Sequence, residues 1–338
     1  MNRVVLTLDV GGTKLAAAVV REDGVVDASR EVPTPAAVAG EAETVFTAIA
    51  VLLDAVLADA GRPRIHGVGA GCGGPMTREA VSPLNIPAWR GFPLAARLEA
   101  EFGVPVAVDN DAKAMALGEG WLGAARGESC FVGLVVSTGV GGGIVLDGRL
   151  LHGRETNAGH IGHVVVNPGG EPCACGARGC LEAEASGSAV ARKAARRVLN
   201  GEAGGGLLEA AWTQGRLQAE TPPPRSSTPV SARFGLTARD VATAAEGGDP
   251  VAVAVLAEAG RYVGLAVADV ANLLDLGVAV VGGGVAGAGE LLFGPCRDAA
   301  ATHARLDHSR DLTVVPAALG RRAGVIGAAA LWYAAHPP

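Results

Sequence analysis

Short runs rich in Val, Ile and Leu recur along the chain at 3–9, 15–20, 65–70, 104–109, 130–137, 143–147, 163–166, 278–282 and 312–315. Their length and β-branched content read as strands. Between several of them the apolar positions switch to helical spacing, at 42–60, 93–102, 111–122, 188–199 and 237–246. Asp249-Pro250 supplies an N-cap acid followed by proline at the first helical position, and apolar residues then continue to about Leu274, the longest helix expected. Strands alternating with helices define the α/β class.

Two adjacent strands joined by a Gly-rich turn occur twice, at 3–20 and at 130–147, which points to two halves of similar architecture. Residues 201–232 are rich in Gly, Pro, Ser and Thr without sustained periodicity and read as a flexible surface insertion. The longest uncharged stretch, Ser129 to Leu146, is long enough for a short membrane span. It contains "STGVGGG", however, and reads as two strands about a turn, so no membrane contact is expected.

With 338 residues, 49% hydrophobic, the chain can bury the cores of two domains. A net charge of −6 leaves no surplus of cations for a phosphate backbone, which argues against nucleic acid as partner. Met1 leads almost at once into "VVLTLDV", without the basic and apolar regions of a signal peptide, and Cys72, Cys130 and Cys296 sit singly in apolar surroundings. Both features suit a cytoplasmic location.

The first glycine turn, "LDVGGTKLAAAVV", places Asp9-Val-Gly11-Gly12-Thr13-Lys14 between two strands. A Rossmann or Walker loop would need a helix directly after the glycines. A tight hairpin can instead turn backbone N–H groups toward phosphate oxygens, with Asp9 holding a metal or its water; an ordinary Gly-Gly hairpin would use the same residues. The second turn, "VVSTGVGGGIVLDG", repeats the design with Thr138 and Gly139. A third cluster, "VVGGGVAGAGELL", follows an apolar strand and precedes a helix, where a backbone near Gly283 can approach a flat ligand or simply make a tight connection.

In "VPVAVDNDAKAMALGEGWLG" a strand runs straight into a helix at Asp109-Asn110-Asp111. Open α/β sheets bind ligands at the carboxyl ends of their strands. Asp111 can therefore be a general base accepting a hydroxyl proton during phosphoryl transfer, with Asn110 orienting the acceptor, or it can be a helix N-cap.

"HIGHVVVNPGGEPCACGARGC" holds Cys173, Cys175 and Cys180 within eight positions, ten residues after His163. Three thiols in one loop do not pair as disulfides, whereas Cys3His completes a closed tetrahedral zinc site of structural type. Such a clamp would fix nearby polar groups, among them His160 and Glu182, for hydrogen bonds to a polyhydroxylated ligand. The basic cluster Arg192, Lys193, Arg196, Arg197 reads as a solvated helix face.

In this order and spacing, "LDVGGTK", "DNDAKAMALGE", "STGVGGGIVLDGRLLHG", "AGHIGHVVVNPGGEPCACGARGCLEAEASG" and "VVGGGVA" resemble the ROK family of sugar kinases and sugar-responsive repressors, over essentially the whole chain. The resemblance implies a two-domain actin-like ATPase (ribonuclease H-like) fold with a cleft between domains. Residues 1–110 would form the N-terminal domain, completed by a helix at 322–338, and residues 111–321 the second, with the zinc loop at 163–180. It implies ATP with Mg²⁺ phosphorylating the 6-hydroxyl of a hexose. By motif, Asp111 looks like the base, and Gly74, Asn85, Asn110, His163 and Glu182 like sugar-binding residues. Asp9, Gly11, Gly12, Thr13, Lys14, Thr138, Gly139 and Gly283 look like nucleotide-binding positions, and His163, Cys173, Cys175 and Cys180 like the ligands of a structural Zn²⁺. The family also implies a homodimer or homotetramer.

One departure concerns specificity. Many family glucokinases read Ala-Gly-Glu-x-Gly-His where this chain has Ala158-Gly159-His160-Ile161-Gly162-His163. The variant resembles that of some N-acetylmannosamine kinases, so the expectation is a glucokinase-like enzyme, with an N-acetylmannosamine or N-acetylglucosamine kinase as the alternative and polyphosphate open as a donor. Repressors of the family carry a helix-turn-helix before the first phosphate turn, and here that turn begins at Asp9, which favours an enzyme over a sugar-sensing regulator.

Overall fold

The computed structural model describes residues 3–36, 41–207, 209 and 235–337. Most of the insertion expected near 201–232 lies outside them. The elements in order are β1 (Val4–Val10), β2 (Lys14–Arg21), β3 (Val26–Pro33), α1 (Ala42–Asp59), β4 (Gly67–Cys72), α2 (Leu94–Phe102), β5 (Val106–Asn110) and α3 (Asp111–Leu122). There follow β6 (Phe131–Val136), β7 (Val140–Leu146), β8 (Arg149–Leu150), α4 (Leu181–Ala185), α5 (Gly187–Leu199), α6 (Ala238–Glu246) and α7 (Pro250–Leu274). The last are β9 (Val278–Gly282), α8 (Glu290–His303), β10 (Thr313–Pro316) and α9 (Ala323–Ala335).

The strands form two five-stranded sheets, β3-β2-β1-β4-β5 and β10-β9-β6-β7-β8. Taken from its other edge, the second sheet repeats the order of the first: third, second, first, fourth and fifth strand of its set. That shared order is the internal similarity hinted at by the two glycine turns. In the first sheet β1 pairs antiparallel with β2 and parallel with β4, and β4 pairs parallel with β5.

The chain divides into two compact units: Met1–Gly133 with Gly142–Gly159 and Ala317–Pro338, and Leu134–Gly141 with His160–Pro316. Unit 1 keeps α3, which the sequence boundary at 110 assigned to the other domain. The reason is packing: a Cβ on Gly118 of α3 would stand 3.0 Å from the Gly327 backbone of α9. Helix α9 also lies directly on β4, where any side chain at Gly67 or Gly69 would collide with Trp332 or the Ala328 carbonyl. The buried Glu119 carboxylate of α3 closes this layer, its Oε1 accepting the Leu319 N–H and its Oε2 that of Ala318, both at 3.0 Å.

In unit 2, α7 begins as expected, the Asp249 side chain accepting the N–H groups of Val251 and Ala252, both at 3.0 Å. Among the described residues it is one helix long and apolar enough to cross a membrane. Here it is a core helix, with Val255, Leu256, Ala259, Val263 and Val267 buried. Residues 129–146 form β6 and β7, as the glycine turn indicates.

Two expectations for regular elements fail. Residues 163–166 are not a strand: Ile161–His163 make one 3-10 turn and only Val165 forms a lone bridge, to Cys180. Val165 is exposed, so the three valines there have no sheet face to bury. Strand β3, unexpected, lies on the edge of its sheet with only Val26, Ala28 and Val32 half-buried, and its polar "DASRE" lacks the apolar signal of the inner strands.

Candidate active site

Strand β5 passes into α3 without a loop. The cap is Asn110, whose Oδ1 accepts the Ala112 N–H at 3.0 Å. Asp111 is thereby the first helical residue rather than the cap, exposed to solvent, with Oδ1 2.8 Å from the same N–H. Register places Asp9, Gly71 and Asp109 side by side at the carboxyl ends of three parallel strands.

Burial, reinforced by the nearby Asp111 carboxylate and opposed by Lys14, pushes the Asp9 carboxyl up to about 6. The same burial and the same two carboxylates push the Cys72 thiol up. The Asp9 carboxylate rests against Gly324 in the first turn of α9, where a side chain would clash. In the β1–β2 turn Gly12 and Thr13 are exposed, and the Gly11 N–H bonds the Lys14 carbonyl at 3.0 Å. The Lys14 amine pairs with Glu31 at 2.7 Å. Gly12 backs onto the side chain of Asn85, so a proposed nucleotide turn and a proposed sugar residue touch within unit 1. Gly74 lies in the loop after β4.

In unit 2, Ser137, Thr138 and Gly139 turn β6 into β7, closed by the Ser137 N–H to the Gly139 carbonyl at 2.9 Å. Residues 182–188 grip this turn at three points. Glu182 Oε2 accepts the Val140 N–H at 2.9 Å, the Gly187 N–H bonds the Ser137 carbonyl at 2.6 Å, and Ser188 Oγ bonds the Thr138 carbonyl at 2.9 Å. A Cβ on Gly139 would stand 2.6 Å from Glu182 Oε2, so a larger residue there would push that carboxylate off the turn. Gly141, Gly142 and Gly143 belong to β7 instead of the turn; Gly143 lets β7 pass over α3, with a Cβ there 2.7 Å from Lys113 Cα. Gly283 follows the last residue of β9 at φ 93°, a left-handed turn that fits the expected tight exit from a strand.

His163, Cys173, Cys175 and Cys180 are brought together, one donor atom from each lying within 4.8 Å of the others. His163 Nδ1 stands 3.7 Å from Cys173 Sγ, and Cys175 Sγ 3.6 Å from Cys180 Sγ. A tight turn supports the thiols, the Cys173 N–H bonding the Ala177 carbonyl at 2.8 Å and the Gly176 N–H the Cys173 carbonyl at 3.0 Å. Burial pushes the Cys180 thiol up to about 12, while the Ala177 backbone and the neighbouring thiols pull Cys175 down. One imidazole and three sulfurs at mutual contact, with few other bonds among them, fit a tetrahedral metal ion. Nδ1 is the nitrogen turned to this centre, which leaves Nε2 for another partner. The exposed His160 ring lies 6.3 Å away.

Beneath the loop runs a charged network that the sequence does not announce. Lys193 Nζ, 5% exposed as a residue, donates to Glu184 Oε2 and to Glu258 Oε1, both at 2.6 Å. Glu184 Oε1 accepts the Glu171 N–H at 2.7 Å, fixing the strand of chain that leads to Cys173. Arg197 bonds Glu258 and Arg196 bonds Glu171, each at 2.7 Å. The basic cluster is thus more than a solvated face: Lys193 is buried, and the exposed or half-buried arginines around it pair with carboxylates of this same unit, Glu171 and Glu258.

A profile of the ROK family matches residues 5–335. The chain belongs to the ROK family, and its fold is that of ROK sugar kinases, of actin-like ATPase type. It is 37% identical over 335 residues to a glucokinase of Halalkalibacterium halodurans, covering 96% of this chain and 94% of that protein. It is 36% identical over 280 residues to an N-acetylmannosamine kinase of Citrobacter koseri, 83% of each chain. Among solved structures it is similar to a ROK family glucokinase from Streptomyces griseus in complex with glucose and AMPPNP, with a TM-score of 0.77 and 34% identity over 97% of this chain and 98% of that one.

Proposed function

We propose that this protein is an ATP-dependent sugar kinase that phosphorylates the 6-hydroxyl of a hexose, with Asp111 as general base. The observation that carries the reading is the β5–α3 corner: Asn110 takes the capping role and leaves the Asp111 carboxylate exposed at the carboxyl end of a parallel strand. There it can accept the hydroxyl proton as the oxygen bonds to phosphorus and ADP leaves. The likeness to glucokinases over nearly the full length of both proteins supports the reaction class.

Asn85, Asn110, His160, His163 and Glu182 are the proposed sugar ligands, and the turns at Gly11–Thr13 and Thr138–Gly139 the proposed phosphate contacts. Mg²⁺ would neutralise phosphate charge, with Asp9 as its proposed holder. Zinc is the proposed occupant of the Cys3His set, where it would have a structural role. Asp9 must be ionised to serve a cation, which its raised value makes a pH-dependent requirement.

Glucose is the first substrate class by similarity; His160 and the likeness to N-acetylmannosamine kinase favour a second, the N-acetylhexosamines. The test is ADP release with Mg²⁺-ATP against glucose, mannose, N-acetylglucosamine and N-acetylmannosamine, with polyphosphate as an alternative donor. Sugar-dependent turnover with one of them is expected. Its absence with all four would overturn the reading.

A further inference from the structure

The reaction above makes no use of Lys113, two residues past Asp111, yet its side chain is only 1% exposed. A buried amine is costly unless it is paired and hydrogen-bonded. Its partners are specific. Nζ lies 3.2 Å from Asp109 Oδ1 and donates to the Thr156 carbonyl at 2.5 Å. Asp109 Oδ1 also accepts the Asn110 N–H at 2.7 Å, and Asp109 Oδ2 meets His152 Nδ1 at 3.0 Å. Asp109 and Lys113 thus bracket the corner whose apex is Asn110-Asp111, one from the strand and one from the helix.

The second bond leads elsewhere. Residues 152–159 contain no helix or strand. Thr156, at φ 64°, is held in the left-handed region that a threonine rarely adopts. The next residue, Asn157, binds the Met76 backbone twice, its Nδ2 donating to the Met76 carbonyl at 2.9 Å and its Oδ1 accepting the Met76 N–H at 3.3 Å. Met76 is two residues from Gly74. One buried amine therefore joins the corner that carries the proposed base to the loop that carries a proposed sugar contact, and every atom of the chain of bonds lies within unit 1.

We propose that Lys113 is a positioning residue: through Asp109 and through Thr156-Asn157 it sets the Asp111 carboxylate in register with the Gly74–Met76 loop. The inference rests on the kinase reading above. An error of about 1 Å between base and acceptor can cost about 100-fold in rate, so register is worth a buried charge.

The experiment is steady-state kinetics on the whole enzyme for Lys113→Met, Lys113→Gln, Asn157→Ala and the double variant Lys113→Met/Asn157→Ala, beside circular dichroism. Lys113→Met should lower kcat about 10- to 100-fold and raise the sugar KM, with the ATP KM within about twofold of the parent. Lys113→Gln keeps an N–H for the Thr156 carbonyl and should recover part of the loss. Asn157→Ala should raise the sugar KM severalfold, and the double variant should be little worse than Lys113→Met, since both cut one chain of bonds. A folded Lys113→Met enzyme with parental kcat and sugar KM would overturn the proposal, as would multiplicative losses in the double variant. If Lys113→Met does not fold, Asn157→Ala decides alone, unchanged sugar KM overturning it. A parent enzyme without sugar-dependent turnover would overturn the kinase reading as well, which separates the two failures.

Discussion

Each unit holds one polar corner still, and the two do it by different means. In unit 1 the Asn110-Asp111 corner is made by a strand running into a helix, and its rigidity comes from backbone ladders, the Asn110 cap and the Asp109–Lys113 pair. In unit 2 residues 164–180 have almost no regular structure, and four side-chain donors within 4.8 Å replace the ladder. The first corner is built into its sheet; the second is held by scattered backbone bonds, among them Val166 N–H and Asn167 N–H to the Gly179 carbonyl, and by the gathered Cys and His side chains.

That contrast can be broken at four places, from the largest effect down. Cys173→Ser, or chelation, should unlock the unit 2 loop: structural zinc contributes about 10–16 kcal/mol of binding free energy in small folds. Metal content near zero, a lower Tm and lost activity should appear together, and a variant as stable as its parent would mean that the loop holds itself. Asp111→Asn should behave in the opposite way, with Tm unchanged and kcat down about 10²- to 10⁴-fold. Equal kcat would return Asp111 to the role of an ordinary helix residue.

Next comes the support beneath the Cys-rich loop. Lys193→Met leaves the buried Glu184 carboxylate without its cation, while Glu258 keeps Arg197, and should cost about 3–5 kcal/mol in denaturant unfolding. A loss under about 1 kcal/mol would show that water reaches the site. The smallest effect, and the sharpest in sign, belongs to Asp9. Its folded value of about 6 lies above the ordinary 3.8, so its contribution to stability is full below pH 4 and lost as the pH rises through 6. Asp9→Asn should therefore be more stable than the parent at pH 8, by up to about 3 kcal/mol, with no gain near pH 4 and with activity lost at both. Equal stability of parent and variant at pH 8 would mean that the carboxylate is well solvated.

What the sequence discloses depends on how local the cause is. Inner strands, the Asp249-Pro250 helix start and the Cys3His spacing each rest on residues near one another in the chain, and each is found where expected. The edge strand β3 escapes because most of it faces water, and the valines at 164–166 mislead because they lead into the Cys-rich loop without pairing in a sheet. The Glu184–Lys193–Glu258 network and the Lys113–Thr156 bond join residues 9 to 65 positions apart with no repeating pattern. Glycine motifs were legible as turns, but only coordinates distinguish Gly139, which accommodates Glu182, from Gly143, which lets a strand cross a helix.

Helix α9 gives the order in which the molecule can be made. It covers β4 at Gly67 and Gly69 and packs on Ala16, Ala18 and Val20 of β2, while it is translated after all of unit 2. On the ribosome, then, the first sheet waits with one apolar face bare while some two hundred further residues are synthesised, and unit 2 can fold before the unit that precedes it in the message. Nascent chains arrested before residue 323 should expose that face to chaperones, and release of the final helix is the event that ends their hold.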